Sequence, residues 1–144
     1  MIWMLRHGDA EEVADDDAAR RLTRKGERQA RAAGAALAKL EVEIDVCLTS
    51  PKVRSEQTAE LACEVLGIPV ETTEALRGGD FDAAELAAGR GTVLLVGHEP
   101  DFSRAVALAT GARVEFKKGG LAAIDGPTLK SLLRPDQIKR LAGS

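Results

Sequence analysis

Tyrosine is absent from this chain, tryptophan occurs once and phenylalanine three times. A buried core must therefore be built mainly from Ala, Val, Leu and Ile. No apolar run approaches the roughly 18 residues that a membrane span needs, so no membrane partner is expected. Residues 1–5 are apolar but stop at Arg6, too short for a signal peptide. There is no excess of positive charge: the formal net charge is −3, and the general basic footprint of a nucleic-acid binder is missing. Cys47 and Cys63 are the only cysteines, expected as two small buried hydrophobes in a reducing cytoplasm. With two histidines they match no usual zinc-ligand spacing, so neither metal nor other cofactor is expected. No internal repeat and no long linker interrupt the chain.

What is present is ordinary for a soluble globular protein: 44% apolar and 30% charged residues, which excludes a disordered chain. Residues 1–144 are expected to form a single domain, burying about two thirds of the unfolded surface.

Met1–Leu5 reads as a fully buried strand. Thr23 is a plausible N-cap for a helix to about Leu40, with Ala30, Ala33, Gly34, Leu37 and Leu40 on one face. Ile44–Thr49 reads as a second strand. Ser50-Pro51 then predicts an N-cap with proline at the first helical position, and the following helix stops at Gly67. Short elements are expected at Val70–Thr72 (strand) and Ala83–Ala88 (helix). Thr92–Val96 is a further buried strand, followed by a helix over Asp101–Thr110. Leu121–Ile124 and Leu129–Leu133 read as an antiparallel pair, with a short terminal helix after Pro135. Alternating buried strands and amphipathic helices predict an α/β fold: a three-layer sandwich with a mainly parallel central sheet flanked by helices.

Three of the strands end in compact polar motifs: Arg6-His7-Gly8, Thr49-Ser50-Pro51 with Arg54, and Gly97-His98-Glu99. Ligands of open α/β sheets bind beyond the carboxyl ends of the strands. Parallel neighbouring strands would bring both histidines and two arginines into one pocket. Two guanidinium groups favour a tetrahedral dianion, because Arg stays charged and donates in a planar fork. At ~4 Å and an effective dielectric near 20, each charge pair is worth about 4 kcal/mol before desolvation. Helix N-termini after Ser50 and His98 would add N–H donors. The constellation suits a phosphoryl group, and its cationic side chains leave no need for a metal. No Cys lies in the motifs and Ser50 has no adjacent base, which leaves imidazole as the nucleophile. Gly8 gives a substrate room beside His7. The attacking ring must be oriented through its other nitrogen, with a backbone carbonyl near Gly8 as the expected partner.

Arg6-His7-Gly8-Asp9-Ala10, Leu22-Thr23-x-x-Gly26, Ser50-Pro51-x-x-Arg54-x-x-Gln57-Thr58-Ala59 and Gly97-His98-Glu99-Pro100 resemble the histidine phosphatase superfamily, with its phosphoglycerate mutase-like fold. The match spans residues 1–110. The short chain and the Asp9-Ala10 extension are similar to the SixA-type phosphohistidine phosphatases. The resemblance implies that His7 rather than His98 is the phosphorylated nucleophile, with Arg6, Arg54 and His98 binding the phosphoryl group. Larger relatives use a carboxylic acid to protonate the leaving oxygen. Here the match is poor, and Asp80, Glu74 and Asp9 are the candidate donors, with a loop role for Asp9 favoured.

The reading is then a cytoplasmic phosphatase, acting on phosphohistidine of a protein in signal transduction. The alternatives are a phosphomonoesterase acting on a small phosphate ester and a non-catalytic phosphate- or phosphohistidine-binding module. The oligomeric state is left open. The acidic stretch Glu11–Asp17 is expected as a solvated loop, with a role guarding the mouth of a site as its alternative reading; Lys117-Lys118-Gly119-Gly120 is expected as a solvated turn before a strand, with a basic lip for a phosphorylated protein or a polyanion as its alternative reading.

Overall fold

Met-Ile-Trp-Met-Leu carries no side chain that needs water. In the computed structural model, which describes residues 1–143, Ile2–Arg6 forms strand β1 in the middle of a six-stranded sheet. The remaining strands are β2 (Val46–Thr49), β3 (Val70–Thr72), β4 (Val93–Gly97), β5 (Leu121–Asp125) and β6 (Thr128–Leu133). Their order is β3-β2-β4-β1-β5-β6. β1, β2, β3 and β4 pair in parallel, whereas β5 runs antiparallel to β1 and β6 antiparallel to β5.

The helices are α1 (Arg24–Lys39), α2 (Val53–Leu66), α3 (Ala83–Ala87), α4 (Asp101–Thr110) and α5 (Pro135–Leu141). Thr23 caps α1, its hydroxyl accepting from the Gly26 N–H at 3.1 Å. Strand residues alternate between two cores, as the period of two requires. Trp3, Leu5, Cys47, Leu94, Val96, Leu121 and Ala123 face one side, where Ala33, Leu37, Ala59, Ala62 and Ile138 of α1, α2 and α5 cover them. Met4, Leu48, Val93, Leu95, Ala122 and Ile124 face the other side, under Phe102, Ala105 and Val106 of α4. This is the expected three-layer arrangement. All three phenylalanines gather on the α4 side: Phe102 meets Phe81 and Phe116 edge-on, with centroids 5.8 and 5.6 Å away. Both cysteines are buried and free. No described helix is long and apolar enough to cross a membrane.

Several boundaries differ from the sequence reading by one residue, and two differ by two. β2 begins at Val46, and Ile44 is buried ahead of it. Pro51 is not the first residue of α2, which starts at Val53 with Lys52 as its cap residue. The reason is local: the Ser50 hydroxyl accepts the Lys52 N–H at 3.2 Å, closing a serine turn before the helix begins.

Candidate active site

The sheet sets the spacing of the site. In the β1–β4 register Arg6 lies opposite Gly97, so His7 and His98 are the next residues on two paired parallel strands. Their ring centroids are 5.3 Å apart, tilted by 57°. The His7 N–H donates to the Gly97 carbonyl and the Ser50 N–H to the Val96 carbonyl, both at 3.0 Å, so the segments leaving β1, β2 and β4 stay together. From the first turn of α2, Arg54 brings Nε to 3.4 Å from His7 Nε2. One turn further along α2, the Thr58 hydroxyl donates to the Arg54 carbonyl at 2.7 Å and accepts the Gly8 N–H at 3.1 Å. His7, Arg54 and His98 are buried and Arg6 half-buried.

The loop after His7 is pressed onto α1. A Cβ on Gly8 would lie 2.6 Å from the Gly26 carbonyl oxygen, and one on Gly26 would lie 2.0 Å from the Asp9 carbonyl oxygen. Both positions therefore exclude a side chain. Gln29 accepts the Asp9 N–H and Gln57 accepts the Leu22 N–H, each at 2.8 Å, tying the loop to α1 and the Leu22-Thr23 segment to α2.

Both imidazoles are neutral near pH 7. Burial pushes His7 down to about 4; the hydrogen bond to Gly8 opposes this, and Arg54, Arg6 and Arg20 reinforce it. Burial likewise lowers His98 to about 3, helped by His7, Arg54 and Lys52. His7 Nδ1 lies 2.8 Å from the Gly8 carbonyl, which can only accept, so Nδ1 carries the proton and Nε2 keeps its lone pair. The expected orienting bond is thus present. His98 Nε2 lies 2.8 Å from the Ser50 hydroxyl and 3.4 Å from that of Ser55. Ser50 already accepts the Lys52 N–H, which leaves its own proton for His98 Nε2. His98 then carries its proton on Nδ1, a buried atom without a partner among the described residues.

Both guanidinium groups are anchored by protein acceptors. Arg6 Nη1 donates to the Phe116 carbonyl at 2.8 Å, while its buried Nε has no partner among the described residues. Arg54 Nη1 and Nη2 donate to the Asp17 carbonyl and carboxylate at 2.9 and 3.3 Å. Burial lowers both arginines from their ordinary value.

Of the rest of this cluster, sequence reasoning offered only the acidic stretch, as an alternative guard at the mouth of a site, and named no partner for it. Asp17, at the end of the acidic stretch, also faces Arg20 Nε at 3.2 Å and Lys52 Nζ at 3.7 Å. No local pattern marks Arg20 or Lys52 as site neighbours; only the folded loop brings them there. Glu11–Asp16 are solvated, as expected.

The three carboxylates singled out from the sequence have their hydrogen-bond and ion-pair partners outside the four central side chains. Glu74 is exposed and pairs with Arg77 at 3.6 Å; Asp80 is exposed and lies 3.9 Å from Arg104. Asp9 accepts from the Thr23 hydroxyl at 2.7 Å and pairs with Lys118 at 3.6 Å, a loop-fastening arrangement. Asp101, in the first turn of α4, is a further buried carboxylate; burial raises its pKa against the pull of the Gly79 N–H, Arg104 and Lys52.

Comparison with known proteins bears on the family and the fold. The chain is 34% identical, over 134 residues, to an uncharacterized protein of Picosynechococcus sp., covering 83% of this chain and 81% of that one. It is 38% identical over 68 residues to the phosphohistidine phosphatase SixA of Escherichia coli, a stretch covering 47% of this chain and 42% of SixA. The structure superposes on that of a protein histidine phosphatase SixA complexed with tungstate, with a TM-score of 0.85 and 27% identity over 96% of this chain and 99% of that one. The fold is thus the phosphoglycerate mutase-like α/β fold. The family model of the histidine phosphatase superfamily (branch 1) matches residues 2–91, and this chain belongs to that superfamily.

Proposed function

We propose that the chain removes phosphoryl groups through a covalent intermediate on His7, that its substrate is phosphohistidine on a protein, and that no metal takes part. Family membership and the likeness to SixA support phosphatase activity at the coarser level. The observation that carries the finer reading is the Nδ1–Gly8 bond, which leaves the His7 Nε2 lone pair beside Arg54 and His98.

In the first step His7 Nε2 bonds to phosphorus as the phosphorus–nitrogen bond of the substrate breaks. The substrate imidazole, protonated on its far nitrogen, departs neutral with the electron pair. This lowers the demand for a protein acid, in keeping with the exposed positions of Glu74 and Asp80. In the second step a water oxygen joins phosphorus and the bond to Nε2 breaks, returning the lone pair to His7. Both water protons leave on dihydrogen phosphate, which gives one up to solvent. Arg6, Arg54 and the His98 Nδ1–H donate to the equatorial oxygens throughout. Tungstate, the anion bound by the SixA relative, is a tetrahedral dianion of the same kind.

The test is a rapid acid-free quench with a phosphohistidine protein and with an aryl phosphate. The protein should carry an acid-labile phosphate on His7, turn over the phosphohistidine substrate faster, and keep its rate in chelator. His7→Ala at near wild-type activity would refute the mechanism. Turnover of aryl phosphate alone would make the chain a small-molecule phosphomonoesterase.

A further inference from the structure

A cleft of about 840 Å³ opens beside Arg6, between α1, the loop before β5 and the start of α5. Its walls carry Lys25 and Arg28 from α1, Lys117 and Lys118 from the loop, and Arg134 and Lys139 at α5. With Arg6 itself, that is seven of the 20 Lys and Arg residues of a chain whose net charge is negative. Lys117 and Lys118 have carboxylates of their own, Glu115 and Asp9, and Arg134 has Asp136. Lys25, Arg28 and Lys139 have no described carboxylate within ion-pair distance. All but Arg6 are exposed.

We infer that this cleft docks an acidic segment of the protein that carries the phosphoryl group, an inference that rests on the reading of His7 given above. Three features favour a polypeptide over a small anion. The volume far exceeds one phosphate, and the cations are spread over three chain segments. The floor offers Ala32 and Pro135, which suit the carbon stems of Glu side chains, and no aromatic ring on which a nucleobase could stack. The cleft is also rigidly joined to the site. The Gly119 N–H donates to the His7 carbonyl at 3.0 Å, and Gly119 sits at φ +81° against Gln29, so the lysine lip is pinned to the end of β1. Arg6 belongs to both the cleft wall and the motif of His7. A local concentration of cations on an acidic protein orients an acidic partner toward this face and away from the others.

The probe is a short fluorescein-labelled glutamate-rich peptide, followed by anisotropy with the intact protein. The wild type should bind it, less tightly as salt rises. The double variant Lys25→Glu/Arg28→Glu should bind about tenfold more weakly. Lys139→Glu, on a different helix, should weaken binding in the same direction, and melting curves should match the wild type. In turnover, the double variant should lose about tenfold in kcat/KM on a phosphohistidine peptide with acidic flanks and under about twofold on an aryl phosphate. Equal losses on both substrates, or peptide binding indifferent to both variants, would overturn the inference. So would tripolyphosphate binding the cleft while the peptide does not. Peptide binding through the cleft without turnover of any phosphate would instead sink the reading of His7 and leave the docking surface standing.

Discussion

Asp17 grips Arg54 twice, through its carbonyl at 2.9 Å and its carboxylate at 3.3 Å. The same carboxylate faces Arg20 and Lys52. Slight desolvation opposes its ionisation, but Arg54, Arg20 and Lys52 outweigh it and keep the carboxyl below its ordinary range. A negative group therefore sits on donors that an incoming dianion would use, while the carbonyl contact fixes the guanidinium in place.

Asp17→Asn keeps the carbonyl and removes the charge. Inhibition by tungstate and by phosphate should tighten about two- to fivefold, with kcat changed by less than about twofold. The gain should shrink at high salt. Unchanged inhibition constants would mean that the carboxylate does not compete.

The two imidazoles make stability pH-dependent. In the unfolded chain each takes up a proton near pH 6.5, whereas in the fold His7 stays neutral down to about 4 and His98 to about 3. The unfolded state thus binds more protons over this window, and stability falls as the pH drops through it. Between about pH 7.5 and 5 the loss should be about 2 kcal/mol for each ring. Urea midpoints at the two pH values measure it, and His98→Asn should remove about half of the slope. Neither ring should titrate between about pH 5.5 and 8 by NMR, and with only two histidines the spectrum is unambiguous.

Ser50→Ala takes away the hydroxyl that fills His98 Nε2. His98 should then populate both tautomers, visible in nitrogen chemical shifts, and kcat should fall about tenfold, the worth of one lost hydrogen bond in the buried site. A wild-type tautomer in this variant would assign the orientation of the ring to Ser55 instead.

Gly8→Ala and Gly26→Ala each force a methyl onto a backbone oxygen. Either should cost about 1–3 kcal/mol or more and displace the loop after His7. Thermal melts measure the first effect and kcat the second.

Much of this could be read from the chain because strands that are apolar throughout announce a parallel sheet, and polar motifs at their ends announce a site. Arg6, His7 and His98 lie within one residue of such ends, so their convergence followed once β1 and β4 were neighbours. Arg54 was legible because Ser50 and Thr49 precede it by a few residues. The pairing of Asp17 with Arg54 was not, since their meeting spans α1 and β2, and the periodicity of those elements says nothing about where the short turn before α1 comes to lie. The start of α2 was misread because Ser50 serves a turn and His98, not the helix. The lysine turn before β5 was read mainly as solvent-facing, with a basic lip as the alternative; Lys117 and Lys118 do face solvent, Gly119 and Gly120 are buried, and the sequence had no means of showing that α1 and α5 place further cations across from them.

The register that sets Arg6 opposite Gly97 also makes the gap between the imidazoles a repeat distance of the sheet. Surrounding loops can be lengthened, shortened or exchanged, in evolution or on the bench, and will change which molecules gain admission. The two rings will keep their separation as long as the ladder between their strands is intact.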